Sequence, residues 1–345
     1  CVAVCVAGER CVAVCVAGDR CVAVCVAGDR CVAVCVAGER CVAVCVAGER
    51  PGMATFRSVK VHLVDGTYEL FRQHFGSANR RGESGREVGE FDATIGVLTS
   101  TLQLIEDGAT HLGVASDHVI ESFRNELYPG YKTGEGIDPD LRGQFELLED
   151  VLRGAGVAVF AMVEHEADDA LGSAARIAAA DARVERVEIC TPDKDLAQCV
   201  ADDRGIVQFD RRKGVRYDEA GVREKFGVEP ASIPDYLGLV GDTADGFPGL
   251  PGWGAKSAAS VLARYGHIEE VPTAPGQWDI TVRGAAKLAA TLEAHRDDAL
   301  LFRRLATLEL DAPVFDDVEE LRWTGPTDAI DEVCRRIDAT DLGSR

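Results

Sequence analysis

From Met53 onward, short apolar runs alternate with longer amphipathic stretches. VKVHLV (59–64), HLGVAS (111–116), VAVFAMV (157–163) and VERVEIC (184–190) have the length and branched-residue content of buried strands. The segments between them have helical character, the alanine-rich ALGSAARIAAADA (170–182) among them. This alternation predicts an α/β fold with a mostly parallel sheet flanked by helices.

Residues 1–50 follow another rule. They repeat the decapeptide CVAVCVAGER five times with only a Glu/Asp exchange, and Val fills the even positions before a Gly-Glu/Asp-Arg turn. The alternation predicts a seven-residue strand and a turn per copy, which a meander or small solenoid could stack. Near-perfect copies read more simply as a recent tandem duplication, with Met53 as the natural start. Residues 1–52 are therefore expected to be an appendage without function, 53–225 an α/β domain and 226–345 a helical region.

Composition narrows the class. At 46% hydrophobic residues the chain can bury a large core, and no apolar run is long enough to span a membrane. No basic segment followed by an apolar stretch signals export, so a cytoplasmic location is expected. Ten of the thirteen cysteines lie in the repeat, which lacks CxxC spacing and so makes a poor zinc site; the sparse remainder suits a reducing compartment. The formal net charge of −21 argues against a nucleic-acid partner unless cations intervene.

The acids are not scattered evenly. Each of the four apolar runs delivers carboxylates at its end: Asp65, Asp117, the group Glu166, Asp168 and Asp169, and the pair Asp193 and Asp195. In a parallel sheet those ends share the edge where ligands bind. Any one junction is more simply a turn or helix cap, because Asp favours both. Four together point to a cation site, and a set made only of carboxylates suits Mg²⁺ or Mn²⁺. So many acids exceed the needs of one Mg²⁺ and fit a two-metal centre that hydrolyses phosphodiesters. His165 is read as an exposed turn residue.

Downstream, SIPDYLGLVGDTADGFPGLPGWGAKSAASVLARY (232–265) places an apolar helix, a Gly/Pro-rich loop and a helix of small residues in succession. Gly252 and Gly254 let backbone N–H groups approach a phosphate at a helix N-terminus, and Lys256 adds charge. Such a hairpin grips a nucleic-acid backbone without reading its sequence. Asp242 and Asp245, just before the loop, are candidates for further metal ligands or for plain loop residues.

These motifs, LVDGTYELFR (63–72), EADD (166–169), TPDKDLAQ (191–198) and GDTADGFPGLPGWGAKSA (241–258), together resemble the bacterial and phage 5′-nuclease family. Its members include the 5′–3′ exonuclease domain of DNA polymerase I and the flap endonucleases. The resemblance runs in order over most of residues 59–310. It implies a PIN-like nuclease domain followed by a helix–three-turn–helix DNA-binding region, cutting DNA flaps, nicks and free 5′ ends as a monomer with divalent metal. By motif, one metal group comprises Asp65, Asp117, Glu166, Asp168 and Asp169, and the other adds Asp193, Asp195, Asp242 and Asp245. Arg124 and Lys132 match the basic pair on the family's arch, here expected near 118–145, and would offset charge on the scissile phosphate. Arg72 matches another phosphate contact, and the hairpin of Gly252, Gly254 and Lys256 matches a loop that also takes K⁺.

Departures bear on substrate choice. Glu135 stands where a further arginine follows the arch lysine, and Gly246 replaces an asparagine, which is expected to loosen that loop. Arg142, Arg264 and Lys287 join Arg124, Lys132 and Lys256 as a local basic track, whereas RRK (211–213) reads as the tip of an exposed hairpin. Two other classes compete. A non-catalytic DNA-binding module of the same fold is opposed by the intact acids, and a PIN-type ribonuclease is opposed by the hairpin region.

Overall fold

The computed structural model describes residues 59–84 and 89–339, together with four short strands in the repeat. Those strands, β1 (Val2–Val4), β2 (Val12–Val14), β3 (Val32–Val34) and β4 (Val42–Val44), pair antiparallel as β1–β2 and β3–β4. They cover three residues of the seven expected; the Gly-Glu/Asp-Arg turns and Met53 lie outside the described residues. Residues 1–57 and 58–345 form separate compact units.

In the second unit the four apolar runs become β5 (Val59–Asp65), β6 (His111–Asp117), β7 (Ala158–Met162) and β8 (Val184–Cys190). With β9 (Ile206–Asp210) and β10 (Val215–Tyr217) they form one sheet in the order β10-β9-β8-β5-β6-β7, parallel except for β10 at the edge. The strand sequence runs outward from β5 to β7 on one side, then resumes at β8 on the other. That reversal opens a crevice at the carboxyl ends of β5 and β8.

Helices cover both faces. α1 (Gly66–Ser84) and α2 (Asp92–Glu106) lie with α5 (Gln144–Gly154) and α12 (Ile330–Arg336) over a core that takes Val64, Leu112 and Val114 from the sheet. Alternate residues Val61 and Leu63 turn to the other face, against α6 (Ala167–Ala180). Ala170, Ala174 and Ala178 are fully buried there, so α6 presents small side chains to the sheet. Two single-turn helices, α3 (Arg124–Leu127) and α4 (Pro139–Arg142), punctuate the segment after β6.

After α7 (Glu219–Phe226), the chain forms α8 (Ile233–Val240), α9 (Ala255–Tyr265), α10 (Ala285–Ala294) and α11 (Arg296–Ala306). Their core also takes Tyr131, Ala197 and Val200, so the helical region is fused to the sheet domain by shared apolar packing. Among the described residues no helix is long and apolar enough to cross a membrane.

Candidate active site

Asp65 and Asp117 are the last residues of β5 and β6, and both are buried. Asp65 Oδ1 accepts from the Tyr68 backbone N–H at 2.8 Å, in the first turn of α1, and its Oδ2 accepts from Thr191 Oγ1 at 3.0 Å. The Asp65–Thr191 bond spans the crevice between β5 and β8. Asp117 Oδ1 accepts from the Ala167 N–H at 2.7 Å, at the start of α6, while its own N–H donates to Thr67 Oγ1 at 2.8 Å. Sheet ends and helix starts are thus stitched by carboxylates, as dipoles favour.

The same placement crowds charge. Burial pushes the Asp65 carboxyl up to about 7; hydrogen bonds from Tyr68 and Thr191 oppose the rise, and Asp117 and Asp193 add to it. Asp168 is driven well above the carboxylate range by burial and then by Asp193 and Asp65. Asp117 is raised by burial, with Lys132 opposing. Asp65, Asp117, Asp168 and Asp193 therefore share one electrostatic neighbourhood that a cation would relieve.

A second group is tighter. Asp195, Asp242 and Asp245 bring one ligand oxygen each to within 4.8 Å of one another. Burial first, then the neighbouring aspartates, push Asp195 well above its ordinary value. Asp195 Oδ1 is buried without a hydrogen-bond partner among the described residues. An orphaned buried oxygen inside a set of hard ligands fits a divalent ion of the Mg²⁺ kind.

Lys132 stands between the groups. Its Nζ lies 2.8 Å from Glu166 Oε2 and 3.0 Å from Asp245 Oδ1, and 27% of its side chain remains exposed. Burial works against its charge, but Glu166 and Asp245 outweigh it and hold the ammonium protonated. The sequence reading missed a second lysine: Lys194, between Asp193 and Asp195 in TPDKDLAQ, places Nζ 2.5 Å from Asp242 Oδ2. It also missed Thr191 and Tyr131, whose hydroxyls bond Asp65 and Glu166. For Thr191 and Lys194 the only available signal was their place within the acidic motif TPDKDLAQ; Tyr131, in PGYK, offered none.

Three expected site residues are placed differently. Arg124 is 1% exposed, so it faces no open groove. Its Nη1 and Nη2 bond both oxygens of Asp169 at 2.8 and 2.7 Å, Nη1 reaches Glu166 at 3.1 Å, and Nε and Nη2 donate to the Leu305 and Thr307 carbonyls. Asp169 is wholly buried and also accepts from the Glu166 and Glu309 N–H groups, which leaves its oxygens committed within the protein rather than to metal. Glu166 accepts from the Ser122 and Tyr131 hydroxyls and pairs with Arg124 and Lys132; burial opposes its charge, but the Lys132 and Arg124 ion pairs hold it below the ordinary glutamate range. EHEADD is thus a helix start and a charge site at once: Asp169 closes the cap from position N3, while Asp168 joins the aspartates.

The arch segment is short and cross-tied. Asn125 Nδ2 donates to the Lys132 carbonyl, and the Lys132 N–H donates to the Asp245 carbonyl at 2.9 Å. Gly246 has φ +89°, and a Cβ there would sit 2.2 Å from the Gly130 carbonyl oxygen. The expectation that Gly246 loosens its loop therefore reverses: the missing side chain lets two backbones meet. Glu135 is exposed, His165 half-buried beside the Phe123 ring, and Arg72 is engaged with Glu69 one turn back on α1. RRK does form the turn of the β9–β10 hairpin, although Arg211 bends inward to the Ser100 carbonyl.

At the hairpin, Gly252 (φ +82°) and Gly254 precede α9, with open space where each Cβ would stand, and Lys256 is exposed in the first turn. Arg142 and Lys287 are exposed as well; Arg264 is held by Asp279.

A parallel sheet with acids at its carboxyl edge, joined to a helical hairpin, defines a PIN-like nuclease fold. Two family models match consecutively: the 5′-3′ exonuclease N-terminal resolvase-like domain over residues 60–227 and the 5′-3′ exonuclease C-terminal SAM fold over residues 228–329. The chain belongs to the 5′–3′ exonuclease family. It is 35% identical over 268 residues to DNA polymerase I of Pseudomonas aeruginosa, covering 75% of this chain but only 28% of that protein. The 5′-3′ exonuclease of Buchnera aphidicola is 26% identical over 256 residues, 74% of this chain and 88% of its own length. The phage T5 flap endonuclease, solved with DNA and metal ions, superposes with a TM-score of 0.54 at 19% identity, covering 83% of this chain and 100% of that one. A T5 5′-exonuclease solved with bound zinc superposes with a TM-score of 0.54 at 20% identity, covering 82% of this chain and 99% of that one. These likenesses to solved structures establish the fold.

Proposed function

We propose that the protein hydrolyses DNA phosphodiesters at free 5′ ends, nicks and 5′ flaps, in replication or repair, using two or more Mg²⁺ ions with Mn²⁺ as a substitute. The observation that carries this reading is the convergence of carboxylates from β5, β6, α6, the segment after β8 and the 242–245 turn at the carboxyl edge of the sheet, with Lys132 between Glu166 and Asp245. Asp65, Asp117, Asp168 and Asp193 would hold one ion, and Asp195, Asp242 and Asp245 another. Paired divalent ions supply an activated water and stabilise the leaving oxygen of an in-line displacement.

The chain's own contribution is placement. Thr191 and the Tyr68 N–H fix the Asp65 carboxylate, and the Ala167 N–H fixes Asp117. Lys132, partly exposed at the rim, is positioned to neutralise the scissile phosphate as charge develops. The α9 N-terminus with Gly252, Gly254 and Lys256 would hold the duplex backbone some distance away, and carbonyls of that loop would take K⁺. A large negative net charge is compatible with DNA because the metal ions cancel the acids nearest the phosphates. Such an enzyme would work in the cytoplasm as a monomer.

The test is incubation with end-labelled flap, nicked and single-stranded DNA, with and without Mg²⁺. Cleavage near the flap junction that requires the metal supports the reading; metal-independent binding without cleavage sinks it.

A further inference from the structure

Lys194 is not accounted for by the reaction just proposed. Its backbone is fixed as the residue preceding the short helix Asp195–Cys199, and its carbonyl accepts the Ala197 N–H at 3.1 Å. Its side chain is 35% exposed, yet Nζ leans inward to Asp242 Oδ2 at 2.5 Å. Lys132 occupies Asp245 in the same way at 3.0 Å. Two of the three carboxylates in the tight group thus carry an ammonium ion, and the third, Asp195, keeps an unpartnered buried oxygen.

We propose that Lys194 is a built-in counter-ion of the Asp195–Asp242–Asp245 group, which a divalent ion must displace in order to bind there. The proposal rests on the reading of these three acids as metal ligands. An ammonium and a divalent ion cannot both sit on Asp242 without strong repulsion. The rim position gives the displaced ammonium somewhere to go, because a lysine stem can swing to solvent while its backbone stays in place. In solvent it meets phosphate if DNA is bound, so occupancy of this group and DNA binding would reinforce each other, as linkage requires of any coupled pair. Free protein would then hold its second ion weakly and fill the site when substrate arrives. Lys194 is here a positioning residue, distinct from Lys132, which bridges both groups.

The experiment is calorimetric titration of the DNA-free full chain with Mn²⁺, on wild type, Lys194→Met, Lys194→Arg and Asp242→Asn. Lys194→Met should bind the weaker ion about three- to tenfold more tightly, since a partly exposed ion pair no longer has to be broken. Lys194→Arg should stay near wild type, because the charge remains. Unchanged or weaker Mn²⁺ binding by a Lys194→Met protein that melts cooperatively in EDTA would overturn the proposal and leave Lys194 a structural ion pair. Asp242→Asn separates the two layers. Loss of one ion from the stoichiometry supports the ligand assignment on which the proposal stands, and an unchanged stoichiometry defeats that assignment and the proposal with it.

Discussion

Arg124 and Asp169 form a solvent-free bidentate ion pair, Nη2 to Oδ1 at 2.7 Å and Nη1 to Oδ2 at 2.8 Å. The pair joins the segment after β6 to the first turn of α6, and Arg124 continues to the carbonyls of Leu305 and Thr307. Removing one partner would strand the other charge in the interior. Arg124→Met should therefore lose about 3–5 kcal/mol of unfolding free energy in urea, with Arg124→Lys recovering only part, because an ammonium cannot reproduce the fork. DNA affinity per folded molecule should hardly change. A stable Arg124→Met protein with selectively lost DNA binding would return Arg124 to the phosphate contacts.

What the sequence could and could not convey follows from this residue. The strand ends were legible because Asp65 and Asp117 punctuate apolar runs at once. The hairpin was legible because a Gly/Pro-rich string, with Gly252 at a positive φ, separates an apolar helix from a helix of small residues. The orientation of each acid was not. Asp168 and Asp169 are adjacent on a helix and so turn about 100° apart, one toward the aspartates and one toward Arg124. The partners of Arg124 lie up to 183 positions away, beyond the reach of any local pattern.

Gly246 should tolerate no side chain. Gly246→Asn restores the residue the family resemblance implies, but its Cβ meets the Gly130 carbonyl oxygen at 2.2 Å. The arch must shift away from the Asp245 loop, and a cost of about 1–3 kcal/mol in thermal unfolding is expected, with slower cleavage as Lys132 moves too. Wild-type stability and rate in this variant would show that the two loops are not held together.

Lys256 is exposed at the α9 N-terminus, so its contribution should be that of one phosphate contact. Lys256→Ala is expected to weaken binding equally on unrelated duplex sequences and to lower the salt slope of log K by about 1. Titrations at several salt concentrations check this. A sequence-dependent loss, or an unchanged slope, would remove the hairpin from the backbone-binding role.

A chain beginning at Met53 should cleave as well as the full chain, because every site residue lies downstream and residues 58–345 form a compact unit. Comparison of specific activity and melting temperature decides it; loss of either would give the repeat a role in the nuclease.

The central claim is that the acids at the sheet edge hold metal, and Asp168→Asn with Asp193→Asn tests it most directly. Both residues belong to one electrostatic neighbourhood, and each raises charge repulsion in the metal-free site. Cleavage of flap DNA in Mg²⁺ should collapse, because the chemistry needs ions held in place. Flap affinity in EDTA should move the other way at a pH alkaline enough to ionise the raised Asp168 carboxyl, since the two carboxylates then no longer repel the phosphates. Lost cleavage with tighter metal-free binding is the predicted result; retained cleavage, with binding in EDTA unchanged or weaker, would contradict the account.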